Sequence, residues 1–181
     1  MSEFVIISGS PSQHSRSELV LDFIGTLLKK EDFLVTKVSI KDIPQDVLFE
    51  GKFDSPVITK ITNLILNAKG VIVGSPVYKA SYSGVLKALL DLLPQDVLQQ
   101  TPVLPVMTGG SKGHLLAMEY TLKPLLASLK GQNLKGVYLQ DSQIDKTNSK
   151  QPLIQEECVQ RLSKQLYYLI ETVNRQKEII L

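Results

Sequence analysis

The stretch FVIISGSPSQHSRSELVLDF (residues 4–23) decides the fold. Phe4 to Ser8 is a short apolar run without alternation, the pattern of a strand covered on both faces. From Ser17 onward Leu19, Val20, Phe23, Ile24, Leu27 and Leu28 fall at helical spacing, which predicts a helix over 17–30 with Ser17 as its N-cap. Between the two, residues 8–17 hold five serines, one arginine and no carboxylate. A strand passing through such a loop into a helix opens a β-α-β unit. The loop offers hydroxyls, backbone amides and a helix N-terminus, groups that suit a phosphomonoester. It is not a P-loop, because no Gly-Lys-Ser/Thr closes it, and it lacks the three glycines of the dinucleotide fingerprint. A polar connector with a serine cap has the same composition, so the loop alone leaves both readings open.

Outward from this stretch the alternation of types repeats. Residues 33–40 read as a second strand. Residues 55–70 read as a helix with Pro56 in its first turn and Gly70 past its end. A third strand covers 70–75, and a helix over 83–94 is stopped by Pro94. The fourth strand, 101–110, carries Pro102 and Pro105, which weaken its expected hydrogen bonding. Residues 114–131 read as a helix kinked by Pro124. A fifth strand at 134–140 and a closing helix at 153–176 complete the pattern. Five strands alternating with five helices predict an α/β three-layer sandwich around a parallel sheet. With right-handed crossovers, the simplest order is the flavodoxin-like 2-1-3-4-5, formed by one domain over 1–181. That order reverses between the first and third strands, so the loops after them flank one crevice.

Composition narrows the partners. The chain has 181 residues, 43% of them apolar and 21% charged, with a net charge of +2. No Lys/Arg stripe marks a nucleic-acid surface. One cysteine, Cys158, excludes an internal disulfide and fits a reducing compartment. Glu3 stands where a signal peptide is basic, and the apolar run after it is too short to span a bilayer. The cytoplasm is the expected place. Cys158 sits among apolar positions and reads as packing. His14 and His114 read as solvated polar residues, Asp141 and Asp145 as a solvated turn, and RQKEII (175–180) as an exposed tail. No cluster has metal-ligand spacing, so no metal is expected.

Two further loops carry chemistry. GSPVYKASYSG (74–84) follows the third strand. Pro76 fixes a bend, Val77, Tyr78 and Tyr82 supply flat or apolar surface, and Gly84 permits close approach. Two of the chain's six tyrosines fall within these few residues, which favours a planar ligand over simple loop packing. MTGGSKGH (107–114) places Gly109 and Gly110 before a helix. Their exposed amides and the helix dipole suit partial negative charge on a ring edge. One loop suits a phosphate, one an aromatic plane and one an electron-rich edge. Flavin mononucleotide has those three parts.

The residues that carry this pattern are Gly-Ser-x-x-x-x-Ser-x-Ser from Gly9, Pro-x-Tyr-x-x-x-x-Ser-Gly-x-Leu-Lys from Pro76, and Thr108-Gly109-Gly110. Together they resemble the flavodoxin-like NAD(P)H-dependent FMN reductases, over Val5 to about Gln143. SPVYKASYSGVLKALLDLLP (75–94), VLPVMTGGSKGHLLAMEYTLKPLLASL (103–129) and KFDSPVITK (52–60) resemble the branch that serves alkanesulfonate monooxygenases. The resemblance implies phosphate contacts from Ser10, Ser15, Arg16 and Ser17. It implies isoalloxazine contacts from Pro76, Val77, Tyr78, Lys79 and Ser83, and pyrimidine-end contacts from Thr108, Gly109 and Gly110. The family has arginine at the position of Ser12, so more of the phosphate affinity falls to Arg16 and the hydroxyls. It also implies that Tyr120 is a one-residue insertion of the kind that makes a π-bulge, at an oligomer interface near the flavin.

The implied activity is hydride transfer from NADPH or NADH to FMN, with the reduced flavin passed to a monooxygenase and the chain assembled as a homodimer or homotetramer. No acid, base or nucleophile is demanded of the protein. Three rivals stand beside it: a flavin-retaining quinone or azo reductase, a flavodoxin-type electron carrier, and a regulatory domain without flavin. Flavodoxins are typically very acidic, whereas this chain is slightly basic.

Overall fold

The structure, a computed structural model, describes residues 3–179. Strands β1 (Phe4–Ser8), β2 (Val35–Ser39), β3 (Gly70–Pro76), β4 (Pro102–Gly109), β5 (Gln132–Asn133) and β6 (Val137–Gln140) form one sheet. Its order is β2-β1-β3-β4-β5, with β6 also on β4, and every pairing is parallel. The order 2-1-3-4-5 holds, and the fifth strand is split in two.

Pro105 explains the split. Thr101 and Val103 accept hydrogen bonds from the amides of Gln132 and Leu134, both at 2.9 Å. Alternate residues of a strand face the same neighbour, so Pro105 turns its missing N–H toward that same edge. The ladder breaks there and resumes at Val106 opposite Val137. Gly136 passes the proline ring at φ +82°, where an added Cβ would lie 2.8 Å from both Cγ and O of Pro105.

Helices α1 (Arg16–Lys30) and α7 (Glu156–Ile179) cover the face that receives Phe4, Ile6, Ile72 and Leu104. The opposite face, with Val5, Ile7, Val71 and Val73, is covered by α2 (Gln45–Phe49), α3 (Pro56–Leu66), α4 (Gly84–Leu90) and the helical run α5 (Leu115–Ala117) to α6 (Lys123–Ser128). Both faces of the sheet are apolar, which is why its strands read as unbroken hydrophobic runs.

Several boundaries differ from expectation for local reasons. The cap of α1 is Ser15, not Ser17. Its Oγ accepts from the Glu18 amide at 3.3 Å, as in a Ser-x-x-Glu start, and Ser17 is buried with its hydroxyl 2.8 Å from that of Ser15. Helix α3 ends before Asn67, and Gly70 opens β3 instead of closing the helix; it is a glycine there because a Cβ would meet the Phe4 ring at 2.8 Å. Helix α2 and the 3-10 turn Ile40–Asp42 before it were not expected; at five and three residues they are too short to show a period. The kink at Pro124 takes the form of a π-helical segment, Met118–Leu122, between α5 and α6. Pro124 has no amide to offer the preceding turn, and the widened turn lies directly before it. Residues 175–179 continue α7 rather than forming a tail, and Ile180 and Leu181 lie outside the described residues.

Candidate functional site

The loops after β1, β3 and β4 leave the same edge of the sheet, and hydrogen bonds tie them together. The Gly9 amide donates to Gly74 O at 2.8 Å, and the Val77 amide to Thr108 O at 2.7 Å. Ser83 is the central brace. Its hydroxyl donates to Gly9 O and accepts from the Leu86 amide at 3.1 Å, and its own amide donates to Ser75 Oγ at 2.9 Å. Fully buried, Ser83 is committed to scaffold bonds, which sets it apart from the exposed residues of its loop.

The first loop leads into the N-terminus of the 15-residue α1. Ser10 is buried, and its Oγ accepts from the Ser12 amide at 3.3 Å, while Ser12 itself is exposed. Ser15 and Arg16 are half-buried and Ser17 is buried. Arg16 Nε is buried without a hydrogen-bond partner. Such a donor costs about 1–3 kcal/mol when left unmatched, and an anion beside it removes that cost. His14 is exposed, as expected.

In the third loop Pro76 and Val77 are half-buried, and Tyr78 and Lys79 are exposed. Tyr78 and Ser81 exchange amide-to-carbonyl bonds of 2.8 and 3.1 Å across Lys79 (φ 48°) and Ala80 (φ 62°). This is the tight hairpin turn that ordinarily takes Asn-Gly. Two non-glycine residues in the left-handed region store strain, a feature that clusters at ligand clamps. Tyr82 packs against the core, whereas Tyr78 stays 45% exposed. Of the two tyrosines expected to offer a plane, Tyr78 is therefore the one that remains available.

In the fourth loop Thr108 and Gly109 are buried and Gly110 is exposed. A Cβ on Gly109 would sit 2.8 Å from His114 Nδ1, 2.9 Å from Tyr138 Oη and 3.2 Å from Val77 Cβ, so a side chain there would push the His114 ring and the Tyr138 hydroxyl aside. Gly110 faces open space. Tyr138 of β6 donates its hydroxyl to Ser111 O at 2.5 Å and so holds this loop to the sheet. Burial, and then the charge of Asp141, pushes the Tyr138 phenol upward. His114 departs from the solvated reading: it is half-buried, with Nδ1 enclosed and unpartnered. Its place beneath Gly109 comes from the turn before α5, and no residue pattern announces it.

Other expectations resolve simply. Cys158 is buried and its thiol is pushed up by that burial. Asp145 accepts from the hydroxyl and amide of Thr147, at 2.7 and 2.8 Å, which hold its carboxyl below the ordinary range. Tyr120 lies in the π-helical segment and is 76% exposed, with Leu115 and Leu116 also exposed on the same helical run. Among the described residues no helix is long and apolar enough to cross a membrane.

Residues 2–145 match the family model described as NADPH-dependent FMN reductase. An FMN reductase (NADPH) of Pseudomonas putida is 42% identical over 169 residues, spanning 93% of this chain and 84% of the relative. An FMN reductase (NADPH) of Escherichia coli K12 is 45% identical over 142 residues, spanning 77% of this chain and 74% of the relative. Among solved structures, the apo form of an NADH:FMN oxidoreductase (EMOB) superposes with a TM-score of 0.81 at 30% identity, covering 93% of this chain and 88% of that one.

Proposed function

Because the chain belongs to the NADPH-dependent FMN reductase family and is an NAD(P)H:FMN oxidoreductase, we propose that its three-loop crevice holds FMN by both ends. The observation that carries this reading is the pairing of a buried, unmatched Arg16 Nε at one end with the exposed backbone of Gly110, open to solvent beside buried Gly109, at the other. Ser10, Ser12, Ser15, Arg16 and Ser17 take the phosphate, with the start of α1 adding favourable potential. Pro76, Val77, Tyr78 and Lys79 line the ring system. Thr108, Gly109 and Gly110 turn amides toward its pyrimidine edge. Ser83, expected among the ring contacts, serves by bracing the first and third loops. These groups fit the nucleotide: donors and a cation at one end, an apolar and aromatic wall in the middle, and bare backbone at the other.

Bound there, FMN supplies the ring that accepts hydride from the nicotinamide of NADPH or NADH. The protein's share is to bind, to orient two rings and to exclude water. Nucleophile and general acid are not required of it. One domain spanning the chain, working in the cytoplasm, is enough for this task.

The partner is a flavin-dependent sulfonate monooxygenase that receives the reduced flavin. Support comes from the KFDSPVITK stretch and from Tyr120 in its π-helical segment. The exposed run Leu115, Leu116 and Tyr120 is the assembly surface of a homodimer or homotetramer. Tyr120→Ala is expected to shift the light-scattering mass toward smaller species and to copurify with more flavin than wild type. An unchanged mass with unchanged flavin content would remove Tyr120 from both roles.

Steady-state oxidation of NADH and of NADPH, with FMN, FAD and riboflavin varied in turn, tests the activity directly. Turnover with FMN as sole acceptor is expected. Turnover that needs an added quinone or azo compound would overturn the supply role.

A further inference from the structure

Beside the first turn of α1 lies a group of four charges that the flavin contacts do not use. Glu18, third residue of the helix, takes the Lys41 ammonium on Oε2 and the Lys37 ammonium on Oε1 at 3.4 Å. Lys37 also donates to Asp22 Oδ1 at 2.6 Å. The Glu18 and Lys41 side chains are only 12% and 24% exposed, so this pair is held, not swept by solvent. Burial opposes the charge on Lys37, but Asp22 and then Glu18 outweigh it and raise the pKa. Lys37 comes from β2 and Lys41 from the 3-10 turn after it. The cluster thus bridges the edge strand to the very helix whose N-terminus meets the serine-rich loop. A cleft of about 260 Å³, lined in part by Gln13, His14, Ser15, Glu18 and Asp22, joins the two.

A carboxylate in the first turn favours the helix but competes for the same dipole that would attract a phosphate. Arg16, two residues earlier, acts in the opposite sense. We propose that Glu18 and Lys41 form a charge pair that sets phosphate affinity. Glu18 weakens the pull on the flavin phosphate, and Lys41 limits that weakening, so that FMN binds yet still leaves as a reduced product. This rests on the reading that the loop takes the FMN phosphate. Neither side chain needs to touch the ligand; both act through the potential at the start of α1.

The pair makes a signed prediction. A unit charge beside the first turn of a helix that meets a phosphate, partly screened, shifts affinity roughly three- to tenfold. Titration of the apoprotein with FMN at low salt, followed by quenching of flavin fluorescence, should show Glu18→Gln binding FMN more tightly than wild type. Lys41→Gln should bind it more weakly, and the double variant should return close to wild type. Lys37→Gln should follow Lys41→Gln with a smaller shift. Riboflavin, which lacks the phosphate, should bind all of them alike, and the differences should shrink in about 0.5 M salt. A structural role alone would move the single variants in the same direction and would move riboflavin with FMN. Either result overturns the proposal while leaving the flavin site standing. Failure of wild type to bind FMN at all would instead overturn the functional reading beneath it.

Discussion

Arg16→Ala is expected to raise the dissociation constant for FMN by about 10- to 100-fold while leaving riboflavin binding unchanged. A hydrogen bond to a charged group contributes about 1.5–3 kcal/mol, and each 1.4 kcal/mol is roughly tenfold in affinity. Arg16 is the one cation in the loop from Gly9 to Ser17, and Ser12 stands where the resemblance implies a second. No neighbouring arginine is therefore at hand in this loop to take over. Arg16 Nε makes no hydrogen bond within the protein, so removal of the side chain should leave the melting temperature of the apoprotein level. This combination, weaker nucleotide binding without lower stability, separates a ligand-facing arginine from one that holds the fold. Equal losses for FMN and riboflavin would place Arg16 at the ring and not at the phosphate. An unchanged FMN constant would remove it from the site.

What was legible in the sequence follows from what repeats. Strands β1 and β3 are apolar on both faces and run out into Gly9-Ser10 and Gly74-Ser75, so their runs could be read residue by residue. Sheet order followed from alternation and handedness, and the crevice followed from sheet order. Two kinds of feature were not legible. Short elements such as α2 have no period, and Val47 is its single buried side chain. Features set by a neighbour distant in sequence also give no local signal. Gly70 looks like a helix terminator until Phe4 is packed against it, and His114 looks solvated until Gly109 closes over Nδ1. Ser83 belongs to this second kind. Its place in a ligand-facing motif was readable, but its bond to Gly9 O exists only once the third loop is folded onto the first. The π-helical segment is an intermediate case: Pro124 signals an irregularity, and the resemblance at Tyr120 indicates its form.

The second large effect is expected at Gly136, outside any ligand contact. Gly136→Ala places a methyl 2.8 Å from Cγ and O of Pro105 and 2.9 Å from Met118 Sδ, at φ +82°. The thioether can swing aside, but the proline ring and its carbonyl sit in an interior strand and cannot. Overpacking and the left-handed backbone together should cost about 3 kcal/mol. For a chain of this size that corresponds to a fall of roughly 6–12 °C in melting temperature. The damage should reach the flavin site by a definite route. Gly136 sets the entry of β6, Gln140 at the end of β6 pairs with Gly109, and Tyr138 within it holds Ser111. A displaced β6 loosens the fourth loop, so binding should weaken for riboflavin as well as for FMN, opposite to the pattern expected at Arg16. Pro105→Ala added to Gly136→Ala removes the Cγ contact but neither the carbonyl contact nor the strained φ, and should recover only part of the lost stability. Full recovery would mean that the proline ring alone demands the glycine; an unchanged melting temperature in Gly136→Ala would mean that the split in the fifth strand does not depend on it.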